Sequence, residues 1–210
     1  MRPLIRPVAI RQVFSDTPQV MTEILNEGVN LAVWRRQLPA HVQDFAALAL
    51  SLGQTMADER VVEVDERSPP ALPQLLPATA DLEGYEGFAA DVAWLVSAFT
   101  CLLGARRIGL RLRVLDGAMC PRFHVDHVPV RLLTTYGGAG SEWLEEGLID
   151  RTRLQQVPAP VDNIQRLSVG DVGLLKGEKW LGNEGAGLVH RSPATAPGER
   201  RLLLSLDWLG

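Results

Sequence analysis

The chain has 210 residues, 46% of them apolar and 22% charged, and a formal charge of −4. That length bounds it at one or two domains and is enough to bury a proper core. The mild acidity offers no basic footprint for nucleic acid, and two cysteines, Cys101 and Cys120, are too few for a disulfide scaffold and fit a reducing cytosol.

The opening residues, Met1-Arg2-Pro3-Leu4-Ile5, hold no apolar stretch ahead of a cleavage site, so no signal peptide is expected. The longest apolar run, 92–105, is interrupted by Ser97 and Thr100 and falls short of the ~20 residues of a membrane span. A soluble, cytoplasmic protein is the expectation.

In chain order, Thr17-Pro18 can start a helix that Gly28 ends, with Val20, Met21, Ile24 and Leu25 as its apolar stripe. Trp34-Arg35-Arg36 reads as a strand end with surface arginines. A second helix is predicted over 39–52, where Val42, Phe45, Leu48 and Leu52 share a face and Gly53 takes the position just past the end. Residues 61–64 suit a short strand. The segment 67–77 carries Pro69, Pro70, Pro73 and Pro77 and reads as a loop. A third helix is predicted over 82–103, with Phe88, Val92, Leu95, Phe99 and Leu102 at helical spacing and Gly104 as its stop. His41 reads as a surface residue of the second helix.

Beyond residue 105 the period changes to two. Ile108, Leu110, Leu112 and Val114 alternate with Gly109, Arg111 and Arg113 before an Asp116-Gly117 turn. Residues 122–136 read as one long strand or two broken near Pro129, followed by a glycine turn at 137–140. Further strands are predicted at 141–144, 168–176, 188–191 and 201–208. Six to eight short strands in the last hundred residues suggest a compact barrel or jelly roll. The expected fold is α+β: an N-terminal helical layer, 1–105, packed on a C-terminal barrel, 106–210.

The chemistry concentrates in that second half. On an extended segment His124 and Asp126 project from one face. With His190 they make two imidazoles and a carboxylate, the set that holds non-haem Fe(II) with open coordination positions. His127 would point the other way, and Arg131 with it, toward a carboxylate on the outer surface. Cys120, His124 and His127 also have a spacing at which Zn²⁺ is held, if the segment is a loop. Glu142, Glu145 and Glu146 read as surface charges, and Arg151-Thr152-Arg153 as a solvated loop.

The order of elements resembles the double-stranded β-helix of the Fe(II)- and 2-oxoglutarate-dependent oxygenases. The residues that carry the resemblance are His124-Val125-Asp126, Leu133-Thr134-Thr135-Tyr136, Ser141-Glu142-Trp143-Leu144, Val169-Gly170-Asp171-Val172, Leu188-Val189-His190 and the pair Arg200-Arg201. It implies His124, Asp126 and His190 as metal ligands and an arginine for the 2-oxoglutarate carboxylate. Arg201 would share a face with Leu203, Ser205 and Asp207, and Arg200 with Leu202, Leu204, Leu206 and Trp208; the first set is the more polar. Tyr136 or Thr134 would offer a hydroxyl to the same carboxylate.

A second resemblance spans nearly the whole chain. The blocks 28–36 (Gly-Val-Asn-Leu-Ala-Val-Trp-Arg-Arg), 119–127 (Met-Cys-Pro-Arg-Phe-His-Val-Asp-His) and His190-Arg191-Ser192-Pro193 resemble a bacterial family of unknown function. Its members often lie beside genes of zinc homeostasis. That implies a zinc-linked role and makes a zinc-binding protein, using the barrel without redox chemistry, the alternative. The expected partner is a small-molecule substrate or an unknown protein, with no nucleic acid and no membrane.

Overall fold

A computed structural model describes residues 9–65, 70, 72–154 and 162–210. Residues 1–8, which include the opening segment expected to hold no signal peptide, lie outside the described residues, as do Arg67, Ser68, Pro69 and Ala71 of the proline-rich segment.

Seven strands form the main sheet: β1 (Arg11–Ser15), β2 (Val29–Trp34), β3 (Met56–Glu63), β4 (Arg107–Leu115), β5 (Val130–Gly137), β8 (Val172–Lys176) and β10 (Arg201–Trp208). Their spatial order is β1-β2-β8-β5-β10-β4-β3. Only β1 and β2 run parallel; the other neighbours are antiparallel. A smaller sheet is built from β6 (Glu142–Trp143), β7 (Gln165–Arg166) and β9 (His190–Arg191), in the order β7-β6-β9. The chain is mixed α+β and dominated by strands.

The N-terminal region, expected as a helical layer packed on the barrel in one compact unit, is only partly helical. It contributes β1, β2 and β3 to the same sheet as the later strands. The segment expected as a first helix is a short 3-10 helix, Pro18–Leu25, that links the parallel pair β1 and β2. The other two helices form where the apolar spacing placed them, α1 (Ala40–Ser51) and α2 (Tyr85–Leu103). Gly104, at φ 59°, ends α2 in the left-handed conformation that glycine adopts without a steric penalty. By length and composition α2 is apolar enough to cross a bilayer, yet Phe88, Val92, Leu95, Val96 and Phe99 are buried in the core.

Alternation decides which face of the sheet meets the helices. Leu202, Leu204 and Leu206 of β10 sit opposite Val114, Leu112 and Leu110 of β4. They pack with Phe45, Phe88 and Phe99 in the larger core, where truncating a leucine to alanine costs about 2–5 kcal/mol. The residues between them point to the other face. There Leu203, Leu133, Leu175, Leu31 and Val33 meet Trp143, Leu167 and Leu188 from the small sheet and its flanks. The space between the two sheets is therefore apolar at its centre, and the polar residues that remain on those inner faces carry the chemistry.

Candidate metal centre

His124 does not lie on a strand. Pro121 and Pro129 flank it, and a proline supplies no N–H to a ladder; residues 116–129 are irregular apart from one bridge. At that bridge the His124 N–H donates to the His190 carbonyl and the His190 N–H to the His124 carbonyl, both at 3.0 Å. His190 opens β9, opposite Trp143 of β6. The pairing brings the two imidazoles to 4.5 Å between ring centroids.

Asp126 completes the group. One donor atom from each of His124, Asp126 and His190 lies within 4.8 Å of the others. His124 Nε2 is 3.7 Å from Asp126 Oδ1, and His190 Nε2 is 3.3 Å from Oδ2. Two of the three are well shielded, the His190 side chain at 6% exposed and Asp126 at 11%, and His124 at 31% forms the open side.

The outer hydrogen bonds determine what the inner atoms can do. His124 Nδ1 lies 2.9 Å from the Arg122 carbonyl and His190 Nδ1 3.2 Å from the Leu188 carbonyl. A carbonyl only accepts, so each Nδ1 is the protonated nitrogen and, in the neutral ring, each Nε2 presents a lone pair inward. Metal-binding histidines are oriented by the same kind of bond. Asp126 Oδ1 accepts from Arg131 Nη1 at 2.7 Å, whereas Oδ2 is buried with no hydrogen-bond partner. Three electron-pair donors thus face one another, an arrangement that calls for a cation. Burial works to raise the Asp126 pKa, but the adjacent imidazoles of His124 and His190 and the Arg131 charge hold it well below the usual carboxylate range. The neighbouring Asp126 carboxylate raises the His124 imidazole's pKa in turn.

Arg131 does not face the outer surface beside His127. It lies inside, with Nε and Nη2 on the two oxygens of Asp207 at 2.6 and 3.0 Å. His127 is exposed and outside the donor group, even though the segment is a loop. Cys120 is a free, exposed thiol, also outside the group, although it lines the same narrow cavity as His124 and His190. The closed site with Cys120 as a ligand is not formed.

Arg201 is the largest fully buried side chain described. It shares the inner face of β10 with Leu203, Ser205 and Asp207. Its Nη2 donates to Ser141 Oγ at 3.1 Å, while Nε and Nη1 have no partner. Burial lowers its pKa to about 10 against the opposing pull of Glu142. Ser141, Leu203 and Ser205 line the cavity with His124 and His190, and Arg201 stands behind that lining on Ser141. Two glycines allow this approach. A side chain on Gly138, at φ 83°, would meet the Arg200 carbonyl at 2.2 Å, and one on Gly140 the Leu167 carbonyl at 1.8 Å. Arg200, one residue before β10, is half-buried, and its Nε also lacks a partner.

Tyr136 does not join them. It sits on the helix-facing side of β5, packed edge-on against Phe88, and its hydroxyl donates to Asp91 Oδ2 at 2.6 Å. Burial and the Asp91 charge push its pKa well up. Asp91 also takes Arg36 Nη1 and Nη2 at 2.6 and 2.9 Å, so Arg36, expected at the surface, is a partly buried partner. Thr134 lies on the same strand face, two residues away. Glu142 is likewise no surface charge: it is 4% exposed and paired with Arg166 and Arg191.

A family model described as a protein of unknown function (DUF1826) matches residues 15–207. The chain belongs to the DUF1826 family. No curated protein matches it. Solved structures similar to this DUF1826 chain include a prolyl-4-hydroxylase from Pseudomonas putida, at 12% identity and a TM-score of 0.49, over 92% of this chain and 99% of that one. A 2OG-Fe(II) oxygenase family oxidoreductase from Burkholderia pseudomallei is 14% identical with a TM-score of 0.42, over 94% of each chain. A full-length Neurospora crassa protein, solved in complex with alpha-KG, is 13% identical with a TM-score of 0.43, over 85% of this chain and 73% of that one.

Proposed function

We propose that the protein is an Fe(II)- and 2-oxoglutarate-dependent oxygenase built on a double-stranded β-helix, acting in the cytoplasm on a small molecule or a protein. One observation carries the reading: His124 and His190 of the three-donor face line a cavity with Ser141, and Ser141 Oγ accepts from a buried arginine, Arg201, whose Nε and Nη1 have no partner. Burying an unpaired guanidinium is costly. A carboxylate reaching Arg201 would satisfy it in the two-point manner that suits guanidinium.

The residues present fit both groups. His124, Asp126 and His190 supply two neutral nitrogens and one anionic oxygen, and so leave other positions of a metal ion free. Arg201 and Ser141 would bind the far carboxylate of 2-oxoglutarate. Leu133 and Leu203, on the cavity wall, would exclude water from the keto acid. When bound, the metal and 2-oxoglutarate would supply the oxidising power for the reaction. The arginines Arg36 and Arg200 take no part in this reading.

Under anaerobic conditions, Fe(II) followed by 2-oxoglutarate should give a visible charge-transfer band that needs both and is lost in His190→Ala. In Arg201→Leu the band should require at least ten-fold more 2-oxoglutarate. Stoichiometric Zn²⁺ binding without any such band would instead support the zinc-linked, non-redox alternative on the same three ligands.

A further inference from the structure

Asp126 is held from behind by a chain of charges that crosses three strands. Arg131 Nη1 reaches Asp126 Oδ1 at 2.7 Å, and its Nε and Nη2 clasp Asp207 at 2.6 and 3.0 Å. Asp207 is directly opposite Arg131 in the pairing of β10 with β5. Arg111 of β4 closes the chain with Nη1 on Asp207 Oδ2 at 2.6 Å. Asp207 is 2% exposed, Arg131 18% and Asp126 11%. Two arginines thus balance two carboxylates, and the fork of Arg131 is spent on both.

The consequence lies in which oxygen of Asp126 remains. Oδ1 is committed to Arg131, and Oδ2, 3.3 Å from His190 Nε2, is the atom without a partner. We infer that Arg131, braced by Asp207, is a positioning residue that makes Asp126 a one-oxygen ligand. A carboxylate free of that bond can turn and offer both oxygens to a metal, closing a position that a keto acid needs. The inference rests on the metal reading above and deepens it. Arg131 lines the cavity beside His124 and His190, and its action on the metal runs through Asp126.

Co(II) is a suitable probe, because its visible bands report the ligand set without any turnover. The wild-type protein should take up one Co(II) per chain, and its bands should shift on adding 2-oxoglutarate. In Arg131→Met the bands of the Co(II) form should differ from wild type, and 2-oxoglutarate should bind at least ten-fold more weakly. Removing one member of a buried ion pair can itself unfold a protein. The double variant Arg131→Met/Asp207→Asn keeps the interior charge balanced while still lacking the donor to Oδ1, and it should show the same altered bands. Arg131→Lys, which keeps a charge on a shorter, single-point donor, should fall between. Wild-type bands and wild-type 2-oxoglutarate affinity in the folded double variant would overturn the positioning role and leave the metal reading intact. Failure of the wild type itself to take up Co(II) would overturn both.

Discussion

His124 and His190 are joined twice, by two backbone hydrogen bonds of 3.0 Å and by imidazoles whose centroids lie 4.5 Å apart. The first contact sets the second, and it does not depend on either side chain. His190→Ala should therefore keep the bridge and the fold, seen as an unchanged far-ultraviolet circular dichroism spectrum. Metal affinity should fall by more than the roughly 10–100-fold that losing an outer partner costs. Metal content after dialysis against Fe(II) or Co(II) measures it.

The exposed candidates are separable from the buried ones. Cys120→Ser and His127→Ala should each leave metal stoichiometry and affinity within about two-fold of wild type, because neither belongs to the three-donor group and exposed substitutions change little. A collapse of Zn²⁺ affinity in Cys120→Ser, read by competition with a chromophoric chelator, would revive the closed zinc site.

Arg201 sets stability against binding. Replacing an unsatisfied buried cation with an apolar side chain removes its desolvation cost, so Arg201→Met should unfold at an equal or higher temperature than wild type. The gain expected for such replacements is up to about 1–4 kcal/mol. The same variant should lose the stabilisation that 2-oxoglutarate gives the metal-loaded wild type. Thermal denaturation with and without the keto acid tests both halves.

Tyr136→Phe should behave as a structural variant only. It removes a bond to an ionised acceptor, worth about 1.5–3 kcal/mol, while Asp91 keeps its two bonds to Arg36. Denaturant unfolding should show that loss, and metal and 2-oxoglutarate binding should not change.

Lys176 makes stability depend on pH. The residue is 2% exposed, and its ammonium donates to the Asn26 carbonyl at 2.7 Å and lies 4.7 Å over the Trp180 ring. Burial lowers its pKa from 10.5 to about 8, against a small pull from Glu27. A base with a depressed folded pKa is less tolerated as the cation, so between pH 8 and 10.5 the unfolded chain binds the extra proton and stability rises with pH. Relative to Lys176→Met, the wild type should gain on the order of 2 kcal/mol from about pH 8 to 10. A pH-independent difference between the two would contradict this.

Local signals are readable from the chain and closure is not. The two-residue spacing of His124 and Asp126 and the leucine alternation of β10 survive in the structure, because both depend on neighbours a few positions away. Counting one continuous strand through Pro129 puts Arg131 beside His127; the irregular segment breaks that parity and brings Arg131 to Asp126 instead. The order of elements groups Tyr136 with the barrel, but it shares the helix-facing side with Leu132, and alternation alone does not say which face a sheet turns inward. Only the end of β2 is legible as a strand, because Val29 to Val33 are buried on both faces and leave no alternation to see. The ion chain from Asp126 to Arg111 joins strands that are neighbours only once the sheet is assembled.

The most direct test of the metal centre is a crystal of the protein grown anaerobically with Mn(II) and 2-oxoglutarate, measured for anomalous scattering. A metal held by these residues gives one strong peak within about 2 Å of His124 Nε2, His190 Nε2 and Asp126 Oδ2, with a keto acid carboxylate on Arg201. No peak among those three atoms, or a peak on Cys120 and His127 instead, would contradict it.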